Sequence, residues 1–308
     1  MQQTWAADGS NYRSIWKYLY RTPHKLDWID VDGVSTRYIE LGEPTSPPLI
    51  LLHGTAGSIE NFCANLAALA EDYHVLALDM LGCGWTDKPD FPYTALDYAQ
   101  HVRRFMDAKG IAQAGIIGVS LGAWIACRIA ADTPDRVSRI IAVAPAGIVT
   151  DPEEAAKVVA GIRARRTAAA AAPTWDSITT IFKRLTLSED DIIDDLVAIR
   201  LDIYSNPAMQ ANMANLLHMT NLEYSLTDEE WAGLAQPLLL IAAIEAPNAF
   251  LVNARAIHER APSAELLDMT GCDHWAQFER PDEFNPVAKA FFHGEVVGLP
   301  HGQKPDGK

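Results

Sequence analysis

Four short apolar runs constrain this chain more than any other feature. Residues 49–52, 75–78, 114–119 and 140–144 carry no charged side chain and do not alternate with polar residues, so neither face of such a strand can lie in water. Helix-length segments at 59–71, 96–109 and 121–132 are interleaved with them. Strands buried on both faces and alternating with helices imply a mostly parallel sheet flanked by helices, an α/β core. A hairpin is expected before it, with strands at 28–31 and 34–41 joined by Asp32-Gly33, a pair that tolerates the positive φ angles of a tight turn.

The rhythm stops at Asp151. From there to Gln236 no strand-like run occurs, and helices are expected at 154–172, 175–185, 188–204 and 206–221. Ser188 followed by Glu189, Asp190 and Asp191 is a cap with acids in the positive first turn, and Ile192, Leu196, Ile199 and Ile203 make one apolar stripe. Pro207 after Asn206 marks another helix start. Met209, Met213, Leu216 and Leu217 form a second stripe, which reads as core or as pocket lining. Strand, helix, strand and helix then resume at 237–244, 250–260, 264–269 and 281–293. The expected parts are an N-terminal arm (1–25), a core (26–150 and 236–294), an inserted helical cap (151–235) and a tail (295–308). The arm holds Trp5, Tyr12, Trp16, Tyr18 and Tyr20, and reads as an intramolecular brace or a partner surface; the glycines and prolines of the tail read as frayed chain.

Charge narrows the partners. With 25 basic and 40 acidic residues the chain carries −15, which repels phosphate backbones and anionic lipid surfaces, so neither nucleic acid nor membrane is expected as a partner. No apolar run approaches the ~20 residues of a membrane-spanning helix. Cys63, Cys83, Cys127 and Cys272 lie far apart without a CxxC pair, which suggests free thiols and neither a disulfide framework nor a metal site. Residues 1–20 carry Asp8, Arg13 and Lys17 without an apolar signal region. A cytoplasmic protein acting on a small molecule, with no cofactor, fits these features; they leave a homo-oligomer open.

The chemistry centres on Gly118-Val119-Ser120-Leu121-Gly122, between the run at 114–119 and the helix from Leu121. Glycines two before and two after the serine let a strand turn sharply into a helix and lift the hydroxyl above the sheet edge. The alternative is a serine N-cap with glycines for close packing. A serine hydroxyl needs a base, and His274 follows the strand at 264–269, at a carboxyl end where open α/β sheets build their sites. His53 also ends a strand, but His53-Gly54-Thr55-Ala56-Gly57 gives it a loop-shaping role. Attack on a carbonyl creates an oxyanion, for which the amides of Leu121 and Thr55 are the candidate donors.

These residues resemble the α/β-hydrolase family: His53-Gly54, then Asp79-Met80-Leu81-Gly82-Cys83-Gly84, then the Ser120 turn, then His274, in the family's order over about 26–294. The run His274-Trp275-Ala276-Gln277-Phe278-Glu279-Arg280-Pro281 is similar to the meta-cleavage product hydrolases, which split a C–C bond beside a ketone in aromatic ring-fission products. The resemblance implies a pocket-lining role for Trp275 and a carboxylate-binding role for Arg200. Read from the residues alone, Trp275 could equally be core and Arg200 could pair with Asp194 or Asp195. Two positions depart from the pattern. Val119 stands where asparagine is usual, and the Gly-x-x-Asp that supplies the triad acid is replaced by Ala242-Ala243-Ile244-Glu245-Ala246-Pro247. Glu245 is the carboxylate in that loop and the candidate orienter of His274; an acid from elsewhere such as Asp151, or a Ser–His dyad, is the alternative. A serine hydrolase is expected, for a C–C bond or for an ester or lactone; a non-catalytic binding protein on the same fold is the rival.

Overall fold

The computed structural model describes residues 13–246, 248–295 and 297. Its strands are β1 (His24–Val31), β2 (Val34–Leu41), β3 (Pro48–Leu52), β4 (His74–Leu78), β5 (Ala114–Val119), β6 (Val137–Val143), β7 (Leu238–Ala243) and β8 (Ala264–Met269). They form one sheet ordered β1-β2-β4-β3-β5-β6-β7-β8. The hairpin β1–β2 adds antiparallel to β4, and every pairing from β4 to β8 is parallel. Asp32 (φ 52°) and Gly33 (φ 85°) make the tight turn that the Asp-Gly pair requires. The apolar runs occupy the middle of the sheet, where Leu49 to Leu52 and Val75 to Leu78 are wholly buried.

Helices α1 (Ile15–Leu19), α2 (Cys63–Leu69), α3 (Ala95–Ala108) and α4 (Leu121–Asp132) precede β6. Between β6 and β7 lie α5 (Pro152–Ala171), α6 (Trp175–Phe182), α7 (Asp194–Ser205), α8 (Pro207–Leu217) and α9 (Asp228–Ala232); α10 (Ala249–Arg260), α11 (Ala276–Glu279) and α12 (Pro281–His293) complete the core. The expected helix over 188–204 is broken. Ser188 closes only a 3-10 turn, Glu189–Asp191, by accepting from the Asp190 amide, and Ile193 is extended before α7 begins. Ile193 is thereby buried beside Leu196 and Ile203. Helix α9 was not expected, although its capping box, Thr227 and Glu230, is a sequence signature. The stripe Met209, Met213, Leu216 and Leu217 is core.

The described part of the arm is a brace. Arg13 bonds Asp191 at 2.6 Å and the Phe278 carbonyl at 3.0 Å, and Asp195 accepts from the Ile15 amide at 2.8 Å, so the arm ties the helical insertion to the core. Trp5 and Tyr12 lie outside the described residues, as does 298–308 of the tail. All four cysteines are buried and unpaired. No helix among the described residues is long and apolar enough to cross a membrane.

Beneath the site, Arg37 of β2 binds Glu60 at 2.5 Å and Asp79 at 3.2 Å, all three buried. Asp79 also accepts from the amides of Ile59 and Trp85, both at 2.8 Å, and so fixes the loops after β3 and β4. Removing the cation strands two buried carboxylates. Arg37→Met is expected to lower the unfolding free energy by about 3–5 kcal/mol, measured by urea denaturation.

Candidate active site

Ser120 sits between β5 and α4 at φ 56° and ψ −111°, a conformation that non-glycine residues rarely adopt. Its amide donates to the Val143 carbonyl at 2.9 Å, while its own carbonyl accepts from Ala123 and Trp124, both at 3.1 Å. A Cβ at Gly118 would come within 2.4 Å of the Ala123 nitrogen, and one at Gly122 within 2.0 Å of the Leu52 carbonyl oxygen. Both glycines are therefore required for the turn. Leu121 opens α4, so its amide has no partner within the helix, and neither it nor the Thr55 amide has a backbone acceptor among the described residues. Thr55 belongs to the loop that Gly54 carries past Ser120, where a Cβ would stand 3.4 Å from that of the serine.

His53 is used up by that loop. Its Nδ1 donates to the Gly54 carbonyl at 2.8 Å, its Nε2 accepts from the Met80 amide at 3.0 Å, and burial pushes its pKa down to about 4. His274, after β8, instead faces the cavity that Ser120 lines. Its ring makes a T-shaped contact with that of Phe250, 4.3 Å between centroids. Burial, and then the charge of Arg166, push its pKa down to about 4.

Two cavities meet at Ser120, sharing Thr55, Ile162 and Phe250 in their walls. The smaller, about 90 Å³, is lined by Asn61, Trp275 and four arginines: Arg165, Arg166, Arg184 and Arg200. The larger, about 280 Å³, is mostly apolar, with Trp124, Val158, Val159, Met219 and Leu222 among its walls. Arg200 donates to Asn61 Oδ1 at 3.1 Å, lies over the Phe182 ring and keeps a buried Nε without a partner. It does not pair with Asp194 or Asp195. Those positions are six and five residues back on α7, turned away by roughly 120–140° of helix, and Asp195 is engaged by the arm. Trp275 is both core and wall: it packs edge-on against Phe182 and Phe278, and its amide donates to the Leu185 carbonyl.

The profile of the alpha/beta hydrolase fold family matches residues 47–281, which include every element of this site. The chain belongs to the α/β hydrolase fold family. It is 24% identical over 273 residues to the 2-hydroxy-6-oxo-6-(2'-aminophenyl)hexa-2,4-dienoic acid hydrolase of Metapseudomonas resinovorans, covering 86% of this chain and 89% of that one. It is 37% identical over 118 residues to a dihydrolipoyllysine-residue acetyltransferase component of the acetoin cleaving system of Cupriavidus necator, but spans only 31% of that protein and 38% of itself. Among solved structures it resembles a meta-cleavage product hydrolase of Pseudomonas fluorescens IP01, with a TM-score of 0.76 at 26% identity over 87% of this chain and 97% of that one.

Within this α/β hydrolase, no carboxylate is hydrogen-bonded to the His274 ring among the described residues. Glu245 is exposed, and its Oε2 accepts from the Gly271 amide at 2.6 Å, so the structure does not bring it to His274. Asp151 caps α5 through the amides of Glu153 and Glu154. Asp273 accepts from Asn248 at 2.9 Å. Sequence reasoning missed Phe250 and three of the arginines. A signal existed for Arg165 and Arg166: in a chain of −15 net charge, neither has an acid three or four positions away on its helix.

Three outcomes are expected in an assay with an ester substrate. Glu245→Gln is expected to change kcat/KM by less than about threefold, whereas loss of a triad acid costs about 10⁴. A base of lowered pKa stays neutral as pH falls, so kcat/KM is expected to hold below pH 6 and fall near pH 4. Arg166→Gln should move that limb upward, because it removes a charge that opposes protonation.

Proposed function

We propose that the protein is a serine hydrolase for a small carbonyl compound with an acid end and an apolar arm, and that the bond cleaved is the C–C bond beside a ketone in a product of aromatic ring fission. The observation that carries this reading is the meeting of a cationic and an apolar cavity at Ser120. A substrate laid across both would place its carbonyl at the serine, its carboxylate at Arg200 and its apolar group among Val158, Val159 and Met219. Similarity to hydrolases named for dienoic acids supports it.

Ser120 Oγ would attack the carbonyl carbon while neutral His274 takes the proton. The amides of Thr55 and Leu121 would hold the oxyanion, and His274 would return the proton to the leaving carbon, after which water repeats the cycle on the acyl group. With no carboxylate on the imidazole, Phe250 would hold the ring in place from one side. Trp275 would close the acid end and the helices between β6 and β7 would act as the cap.

A carboxylesterase or lactonase is the second reading, favoured by Val119, which is buried and gives the site no amide side chain beside the serine. Steady-state assays with a ring-fission dienone acid and with short aryl esters separate the two. The dienone is expected to have the higher kcat/KM, and Ser120→Ala to lower it by at least about 10³-fold. Turnover of aryl esters alone would favour the second reading, and full activity in Ser120→Ala would reject both.

A further inference from the structure

Buried arginines elsewhere in this protein are neutralised twice. Arg37 has Glu60 and Asp79, and Arg128 has Asp132 and Glu230. The four that face Ser120 and His274 are different: none forms an ion pair among the described residues. They divide into an inner and an outer pair. Arg200 and Arg166 are buried and fixed by neutral groups, Arg200 by Asn61 and the Phe182 ring, Arg166 by the Tyr204 hydroxyl at 2.8 Å. Tyr204 stands one helical turn beyond Arg200, so α7 positions both guanidinium groups. Arg165 and Arg184 are exposed, at the solvent side of the same cavity. Burial and the charges of Arg184 and Arg166 push the pKa of Arg165 down.

Neutral anchors hold a guanidinium in place without cancelling its charge, and a buried charge without a counter-ion is costly. Here the countercharge has to arrive from outside. One carboxylate suits the inner pair, since two oxygens can accept from both groups. It leaves the outer pair, both exposed, without a countercharge among the described residues.

We propose that the substrate carries two anionic groups on its acid side, one bound by Arg166 and Arg200 and the second, nearer solvent, by Arg165 and Arg184. This rests on the reading of the cavity as the substrate site, and it narrows the substrate class to dianions, either a dicarboxylate or a carboxylate bearing a phosphoryl group. Bound there, the dianion also brings negative charge into a cavity whose own walls carry no carboxylate.

Isothermal titration of the full chain with valerate, glutarate and inorganic phosphate tests this. Glutarate, or phosphate if the second group is phosphoryl, is expected to bind at least about tenfold more tightly than valerate. The double variant Arg165→Gln/Arg184→Gln is expected to reduce that dianion to the affinity of valerate. Both substitutions are at exposed positions, and an unchanged thermal melt confirms that the variant is folded. Glutarate and phosphate binding no better than valerate, or a dianion preference that survives in the folded double variant, would overturn the proposal. The titration involves no turnover, so a failure of the hydrolase reading, seen as full activity in Ser120→Ala, is distinguishable from a failure here.

Discussion

The contact of α4 with the ends of β3 and β5 is the constraint on which the rest of the site depends. Glycine at 118 and 122 lets the helix start against the Leu52 carbonyl, and the chain can make that approach only by holding Ser120 at positive φ. Such backbone strain, on the order of 1–3 kcal/mol, persists only where surrounding hydrogen bonds fix it; here the bond to Val143 and the first turn of α4 do so. The hydroxyl, the Leu121 amide and the Thr55 loop are thus positioned by core packing rather than by mobile loops. Asp79 and Arg37 secure the loops from below.

Charge is distributed unevenly on this framework. The chain carries −15, yet its central cavity presents four arginines and no carboxylate. The same field that would draw an anionic ligand also acts on His274. A histidine beside Arg166 and away from water stays neutral, the form that accepts a proton, but it is a weak base until the cationic field is offset. A bound anion would offset it. Net charge excluded polyanionic partners in the sequence reading and gave no information about the charge of a small ligand.

The sheet was legible because strands buried on both faces must be continuously apolar, as 49–52, 75–78 and 114–119 are. The turn at Ser120 was legible because only glycine fits its two close approaches, and the placement of His274 at a strand end followed from strand order. Glu245 shows the limit of such reasoning. Topology placed it in the loop after β7, but side-chain direction was decided by the nearby Gly271 amide. Phe250 and Arg184 depend on how separate segments meet, which no local pattern encodes. The helix expected over 188–204 failed for a related reason: burial of Ile193 in an extended conformation outweighed the capping signal at Ser188.

The central claim is that Ser120 is activated by a histidine without a carboxylate partner. Mass spectrometry of the intact and digested protein after treatment with a fluorophosphonate tests it most directly. The account predicts one adduct per chain, on Ser120, and none in His274→Gln. An unlabelled Ser120, or labelling that persists undiminished in His274→Gln, would contradict it.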